Sequence, residues 1–184
     1  ITRAQQTLGR LIKSYDYGRI ALHGIRIAII GKPNTGKSSL LNALLKNERA
    51  IVTHLPGTTR DTLEEKFDLL GLPAALVDTA GIHSHTLDLA EQLGIQRTIK
   101  AAETADVILL VLDASQPISP EDRRAAELAQ KFSATKKIFT VLNKSDLPPV
   151  LNESELQKLI PAVPYARVSA AQSAGLDTLL KIIR

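Results

Sequence analysis

From residue 25 onward, short apolar runs alternate with amphipathic stretches. Ile25–Ile30, Ala74–Val77, Val107–Leu112 and Ile138–Leu142 are almost wholly apolar. Each ends in Gly, Asp or Asn, and each is followed by a polar loop and then by helix-period sequence. Apolar runs of this length between helices are strands of a parallel sheet covered on both faces. Thr62–Leu69 carries polar residues that predict a strand with one wetter side, and Gly71-Leu72-Pro73 turns it back toward Ala74 as an antiparallel hairpin. A last strand over about Tyr165–Ser169 leads into a helix from Leu176. At the start of the chain, Ile1, Ala4, Leu8, Leu11, Ile12 and Tyr15 recur at three- and four-residue spacing, which is one face of a helix running to about Gly18. Arg19 to Gly24 is the frayed end of that helix or a linker. The pattern predicts an α/β protein: three layers around a mostly parallel sheet with one antiparallel hairpin strand, plus a short N-terminal helix. Residues 1–24 form the end of a preceding segment and 25–184 the main domain.

Composition narrows this picture without redirecting it. The 184 residues are 44% hydrophobic and 23% charged, which suits one soluble globular domain able to bury a core unaided. Aromatics make up only 3%, so the core is built from Leu, Ile, Val and Ala. No apolar run approaches the roughly 20 residues a bilayer span needs, so no membrane association is expected. The absence of Cys excludes disulfides, thiolate metal sites and a cysteine nucleophile, and fits a reducing, cytoplasmic setting. The chain also lacks Met and opens on Ile1, which marks it as a piece of something longer. A net charge of +4 permits attraction to phosphate polymers but does not require it. No basic cluster with interleaved aromatics appears, so the charged face reads as ordinary solvated surface.

Chemistry enters at Gly31-Lys32-Pro33-Asn34-Thr35-Gly36-Lys37-Ser38, which fits G-x-x-x-x-G-K-[ST]. It lies between the strand Ile25–Ile30 and a helix beginning near Ser38, where a phosphate loop must lie. Its glycines let backbone N–H groups turn toward phosphate oxygens. Lys37 can reach the β- and γ-phosphates, the Ser38 hydroxyl can take Mg²⁺, and the helix N-terminus adds a favourable dipole. The bland reading, a Gly-rich turn with a helix cap, does not account for the full pattern in this context.

Base choice falls to Asn143-Lys144-Ser145-Asp146, directly after the strand Ile138–Leu142. At a C-terminal strand edge, the Asp146 carboxylate can accept from guanine N1–H and the exocyclic amine. Adenine would leave that carboxylate unpaired. Asn143 and Lys144 can brace the loop and cover the ring. Ser169-Ala170-Ala171, at the end of the last predicted strand, is placed for a backbone amide to meet guanine O6. Asp78-Thr79-Ala80-Gly81 ends Ala74–Val77; its carboxylate can hold a water on Mg²⁺, and the Gly81 N–H can sense a γ-phosphate. Between them, one threonine of Gly57-Thr58-Thr59-Arg60-Asp61 completes the Mg²⁺ shell. Together these five loops resemble those of the small GTP-binding domains, which implies a P-loop NTPase G domain.

In the Ras-like pattern a glutamine follows the last of these glycines and orients the attacking water. Here the residue is Ile82, which cannot, so hydrolysis needs another residue, a cation or a partner. Asn34 either braces the phosphate loop or offers its side-chain oxygen to a monovalent cation beside the phosphates.

Asn47–Asp61 (NERAIVTHLPGTTRD), the Asp78–Ile82 motif and Glu91-Gln92-Leu93-Gly94-Ile95-Gln96-Arg97 resemble the MnmE family of tRNA-modification GTPases, over essentially the whole chain. The resemblance implies K⁺ held by Asn34, Thr53, Leu55 and Thr58, Mg²⁺ by Ser38 and Thr59, and Glu91 as the catalytic acid that positions water. It extends the nucleotide contacts over Asn34, Thr35, Gly36, Lys37, Ser38 and Ser39; over Thr53, His54, Leu55, Pro56, Gly57, Thr58 and Thr59; over Asp78, Thr79, Ala80 and Gly81; and over Asn143, Lys144, Ser145, Asp146, Ser169, Ala170 and Ala171. The register of Glu91 rests on the Gly94-Ile95 anchor. The family also implies pairing of two G domains, a partner flavoprotein (MnmG), tRNA reached through the full-length protein, and a helical domain ending near Tyr17-Gly18-Arg19. His83 and His85 read as solvated, and Lys46 and Thr104-Ala105-Asp106 as ordinary helix-end residues. The competing resemblance is to the ribosome-assembly GTPases of the Der and Era type, which share P-N-x-G-K-S and G-T-T-R-D. A nucleotide switch with negligible hydrolysis is a third reading.

Overall fold

The computed structural model describes residues 18–20, 24–47, 65–77 and 90–184, with side chains throughout except at 47 and 90–95. Six strands form one sheet: β1 (Ile25–Ile30), β2 (Glu65–Leu69), β3 (Leu72–Leu76), β4 (Val107–Asp113), β5 (Lys137–Asn143) and β6 (Tyr165–Arg167). Their order is β2-β3-β1-β4-β5-β6. Only the β2–β3 pair is antiparallel, as the mixed polarity of that hairpin predicts. The helices are α1 (Lys37–Asn47), α2 (Ala90–Thr104), α3 (Pro120–Gln130), α4 (Glu153–Leu159) and α5 (Leu176–Ile183).

All seven residues of β4 are buried, because the strand lies in the middle of the sheet with helices on both faces. Strand periodicity sorts them. Val107, Leu109 and Val111 join Ile25, Ile27 and Ile29 of β1 against Leu40, Leu41 and Leu44 of α1 and Leu176, Leu179 and Leu180 of α5. Ile108, Leu110 and Leu112 point the other way, into a core shared with Ala102 of α2, Ala125, Ala126 and Ala129 of α3, and Leu156 and Leu159 of α4. The alanines of α3 let that helix sit close to the sheet in a protein with few aromatics.

Three boundaries differ from the sequence-based expectation. The hairpin turns at Leu70 and Gly71 (φ 50° and 87°), a two-residue type I′ geometry, so Leu72 and Pro73 already belong to β3. Strand β6 is short and stops at Arg167, which leaves Ser169-Ala170-Ala171 in the turn that follows. At the N-terminal side, residues 18–20 are helical, and Gly24 N–H donates to the Ile20 carbonyl at 2.8 Å. Residues 1–17, with the apolar stripe from Ile1 to Tyr15, lie outside the described residues.

Asp106 is not an ordinary helix-end residue. Its Oδ1 takes Arg19 Nη2 at 2.6 Å, and its Oδ2 takes Arg19 Nη1 at 3.2 Å and the Arg26 backbone N–H at 2.9 Å. Its own N–H donates to the Arg26 carbonyl at 2.8 Å. One carboxylate thus joins the residues before β1, the start of β1 and the start of β4, because a bidentate guanidinium and a backbone amide approach it from different sides. Lys46 does sit in the last turn of α1, as expected.

The two-faced core makes a direct stability comparison possible. Leu109 is fully buried and Leu147 is 44% exposed. Leu109→Ala should lower the free energy of unfolding by about 2–5 kcal/mol. Leu147→Ala should change it by no more than about 0.5 kcal/mol. Urea denaturation of both variants measures the difference, and equal losses would contradict the layering.

Candidate functional site

Strands β1, β4, β5 and β6 are parallel, so their C-terminal ends open on one edge of the sheet. That edge is where open α/β sheets bind ligands. Among the described residues four loops meet there: 31–36 after β1, 114–116 after β4, 144–147 after β5 and 168–174 after β6.

The first loop wraps the N-terminus of α1. Asn34 adopts φ 63° and is exposed at its tip. Thr35 is fully buried and donates its hydroxyl to the Lys32 carbonyl at 3.1 Å. Lys37 Nζ donates to the same carbonyl at 2.6 Å. Burial lowers the Lys37 ammonium below the usual lysine pKa, so the charge is held in a poorly solvated place where an anion would be welcome. Ser38 is half-buried in the first turn of α1, and Ser39 is exposed beside it.

Asn143 closes β5 and is 2% exposed. Its Nδ2 donates to the Thr35 carbonyl at 2.8 Å, and its Oδ1 accepts the Ala170 N–H at 3.0 Å. Its backbone carbonyl accepts the Ala114 N–H at 2.9 Å. One side chain and its carbonyl therefore join the phosphate-type loop to two other loops. Gly36 follows from this: it has φ +88°, and a Cβ there would lie 2.2 Å from Asn143 Nδ2. Gly31 is constrained by close approach, because its Cβ would meet the Val111 carbonyl at 2.5 Å.

Lys144, at φ 62°, sends its ammonium to Asp113 Oδ2 at 2.6 Å. Asp113 ends β4 directly opposite Asn143 in the strand register and also takes the Ser115 N–H and hydroxyl. Burial raises its carboxyl, but the hydrogen bonds from Lys144 and Ser115 outweigh it and leave the pKa below the ordinary value of 3.8. Ser145 N–H donates to the Val168 carbonyl at 3.1 Å, which leaves Asp146 exposed at the outer end of the loop. Ser169 is buried and exchanges backbone bonds with Ala174 at 3.0 Å, so the turn carrying Ala171 is closed. Within Ser169-Ala170-Ala171 the Ala170 amide is engaged by Asn143, and Ala171 is the exposed member.

The structure thus brings together Asn34, Thr35, Gly36, Lys37, Ser38 and Ser39 with Asn143, Lys144, Ser145 and Asp146 and with Ser169, Ala170 and Ala171. Thr53, His54, Leu55, Pro56, Gly57, Thr58, Thr59, Asp78, Thr79, Ala80 and Gly81 lie outside the described residues, as do His83 and His85. Glu91 falls at the start of α2, with its side chain outside the described set. Among the described residues no cluster of three His, Cys, Asp or Glu side chains is placed to hold a metal. Two contacts were missed by sequence reasoning. One is Asp113 under Lys144. The other is Lys32 Nζ on Asp122 Oδ2 at 2.8 Å and Ser119 Oγ at 3.2 Å. Ser119-Pro120-Glu121-Asp122 carried a usable signal, since Ser with an acidic residue three positions on marks a capped helix start.

Asp113 makes a pH-dependent contribution of definite sign. Its folded pKa lies below the unfolded value, so the stabilisation is present above about pH 4 and disappears as pH falls through the folded pKa. Asp113→Asn should cost about 2 kcal/mol at neutral pH. The gap to the unmodified chain should stay level down to about pH 5 and narrow below pH 3.8. Denaturation midpoints of both proteins across pH 2–7 measure this, and a gap that widens in acid would contradict the assignment.

Comparison with known proteins bears on this site. The family model for 50S ribosome-binding GTPases matches residues 26–144, which run from β1 through the phosphate-type loop to Lys144. The tRNA modification GTPase MnmE of Natranaerobius thermophilus is 48% identical over 97% of this chain, which corresponds to 38% of that protein. MnmE of Thermotoga petrophila is 42% identical over the full chain and 40% of its own length. The chain therefore spans about two fifths of these relatives. A crystal structure of Era in complex with MgGDPNP and a segment of 16S ribosomal RNA superposes with a TM-score of 0.65 at 31% identity, covering 86% of this chain and 55% of that one. The expected resemblance to the tRNA-modification GTPases is borne out, as is the P-loop fold. Among the described residues no helix is long and apolar enough to cross a membrane. With more than half of its length matched by this model, a span that takes in the 31–36 and 114–116 loops, the chain belongs to this GTPase family and forms a G domain.

Proposed function

We propose that this chain is the GTP-binding and GTP-hydrolysing module of a tRNA wobble-uridine modification GTPase, dependent on potassium and activated when two G domains pair. The observation that carries the nucleotide reading is the Asn143 cross-tie, which holds a phosphate-type loop and a base-type loop in one fixed relation. The similarity to MnmE proteins over nearly the whole chain supports the choice of reaction. Residues 1–24 then belong to the end of a helical domain and 25–184 to the G domain.

In this reading the amides of the 31–37 loop and Lys37 receive the phosphates, and the low polarity around Lys37 strengthens its attraction to them. Asp146 is free at the loop end to accept from guanine. Asn143 braces the loop and, with Lys144, covers the ring, while Lys144 is pinned by Asp113. With the Ala170 amide engaged by Asn143, the Ala171 amide is the one left to meet guanine O6. Ser38 and Thr59 would hold Mg²⁺, which would supply positive charge to the phosphates as negative charge develops on them. Asn34 projects from the loop tip with an exposed carboxamide, a hard oxygen donor of the kind K⁺ takes. Thr53, Leu55 and Thr58 complete that set, and Glu91 positions the attacking water where other GTPases use glutamine. The Gly57–Thr59 and Asp78–Gly81 loops sense the γ-phosphate. Elsewhere in the longer protein lie the contacts to tRNA and to the flavoprotein MnmG, in a cytoplasmic setting. The Era likeness and the description of the matched family favour one alternative, a ribosome-assembly role for the same GTPase chemistry.

GTP turnover measured in KCl against NaCl tests the cation. Turnover should be at least about tenfold faster in KCl, as expected when a positioned charge meets the transition state. Glu91→Ala should remove that stimulation; equal slow rates in both salts, or an unaffected variant, would sink the assignment. Base choice is checked separately. Asp146→Asn should weaken GTP binding by about a hundredfold or more and favour xanthosine triphosphate, because the amide reverses the donor pattern facing the base. Retained GTP affinity would exclude the Asp146 contact.

A further inference from the structure

Lys32 occupies a variable position of the phosphate loop, yet its side chain is 15% exposed and does not face the loop's interior alone. It crosses to helix α3, where Asp122 Oδ2 lies 2.8 Å from Nζ and Ser119 Oγ 3.2 Å. Asp122 Oδ2 also accepts the Ser119 N–H and hydroxyl, both at 2.9 Å, so the carboxylate is fixed in the helix cap before Lys32 arrives. The backbone of Lys32 carries the opposite end of the linkage. Its carbonyl receives Lys37 Nζ at 2.6 Å and Thr35 Oγ1 at 3.1 Å. Thr35 in turn presents its carbonyl to Asn143.

We propose that the Lys32–Asp122 pair is a positioning element of the nucleotide site: by anchoring the loop to the N-terminus of α3, it sets the place of the Lys32 carbonyl and, through it, of the Lys37 ammonium. This rests on the nucleotide reading above.

Stability alone does not account for the pair. A buried ion pair is weak as a stabiliser, since desolvation offsets most of the attraction. Asp122 is 3% exposed, and its Oδ1 is buried with no hydrogen-bond partner among the described residues. A carboxylate satisfied on one oxygen only is costly to keep in the interior. What the arrangement does supply is direction. All the donors to Asp122 converge on the oxygen that holds Lys32, so a shift of α3 is passed to the loop rather than absorbed. Small misplacements matter at such a site, where phosphate recognition depends on preset donors.

The test titrates GDP and the non-hydrolysable analogue GMPPNP into the 184-residue chain and its variants, with thermal melts to establish folding. Lys32→Met and Asp122→Asn should each weaken binding by about tenfold to a hundredfold. The double variant should bind no more weakly than the poorer single, because the two residues act as one unit. Lys32→Arg should recover most of the affinity, since it restores the charge–carboxylate contact. Folded single variants with unchanged dissociation constants would overturn the proposal, as would losses that simply multiply or an arginine variant as poor as methionine. Should Asp122→Asn fail to fold, Lys32→Met/Asp122→Leu replaces both charges with apolar groups, and wild-type affinity in that protein would overturn the proposal equally. Lys37→Ala serves as the reference for a lost phosphate contact. If the unmodified chain binds neither nucleotide, the nucleotide reading falls and takes the positioning role with it; normal binding by both unmodified and variant chains removes the positioning role alone.

Discussion

Asn143 is the residue on which the functional edge depends. Four loops leave the same edge of the sheet, and nothing in their separate sequences fixes one relative to another. A carboxamide can do this because it carries donor and acceptor on one rigid plane. Here the donor faces the Thr35 carbonyl and the acceptor faces the Ala170 amide. Buried at the end of β5, it has no water to compete with either bond. Removing the side chain would leave a buried carbonyl and a buried amide unpaired, so the site and the fold fail together at this position. The restriction at Gly36 has the same source, since the loop passes too close to Asn143 for any Cβ.

Around that fixed point the charges are arranged in pairs of different character. Asp113 with Lys144 joins the ends of two neighbouring strands, with the carboxylate buried and the ammonium a third exposed. Lys32 with Asp122 joins a loop to a helix and is more deeply enclosed. Arg19 with Asp106 lies at the opposite end of the sheet and is the most accessible of the three. Lys37 differs from all of them, because its ammonium rests on a neutral carbonyl and keeps its charge available for phosphate. Among the described residues, Asp113 and Asp122 are committed to structure, Asp146 stays exposed, and the Lys37 ammonium is held by a carbonyl and not by a carboxylate.

Much of this was legible in the residues. The all-apolar runs identify central strands because only a strand covered on both faces has no need of a polar side, and β4 is such a strand. The glycine spacing of the phosphate loop is legible because backbone geometry itself demands those glycines. The exact turn at Leu70–Gly71 was not, since leucine seldom takes positive φ; here the Asp68 side chain accepts the Gly71 N–H at 2.7 Å and closes the turn. Nor was the end of β6: Val168 and Ser169 look like strand residues, but Ser169 pairs with Ala174 across a turn instead. Asp106 and Asp122 were read as a helix end and not singled out at all. Their partners, Arg19 and Lys32, lie 87 and 90 residues away in sequence. Long-range pairs between charged residues leave no periodic mark in a chain, so only the folded arrangement displays them.

The clasp at Asp106 has a mechanical meaning. It binds the residues that precede β1 to the start of β4, at the end of the sheet remote from the phosphate-type loop. Strand β1 runs parallel between β3 and β4. Load entering at Arg19 therefore has two routes, the covalent one into β1 and a second through Asp106 to the start of β4. The residues before β1 are thus tied to two adjacent central strands, and a displacement imposed on them acts on both.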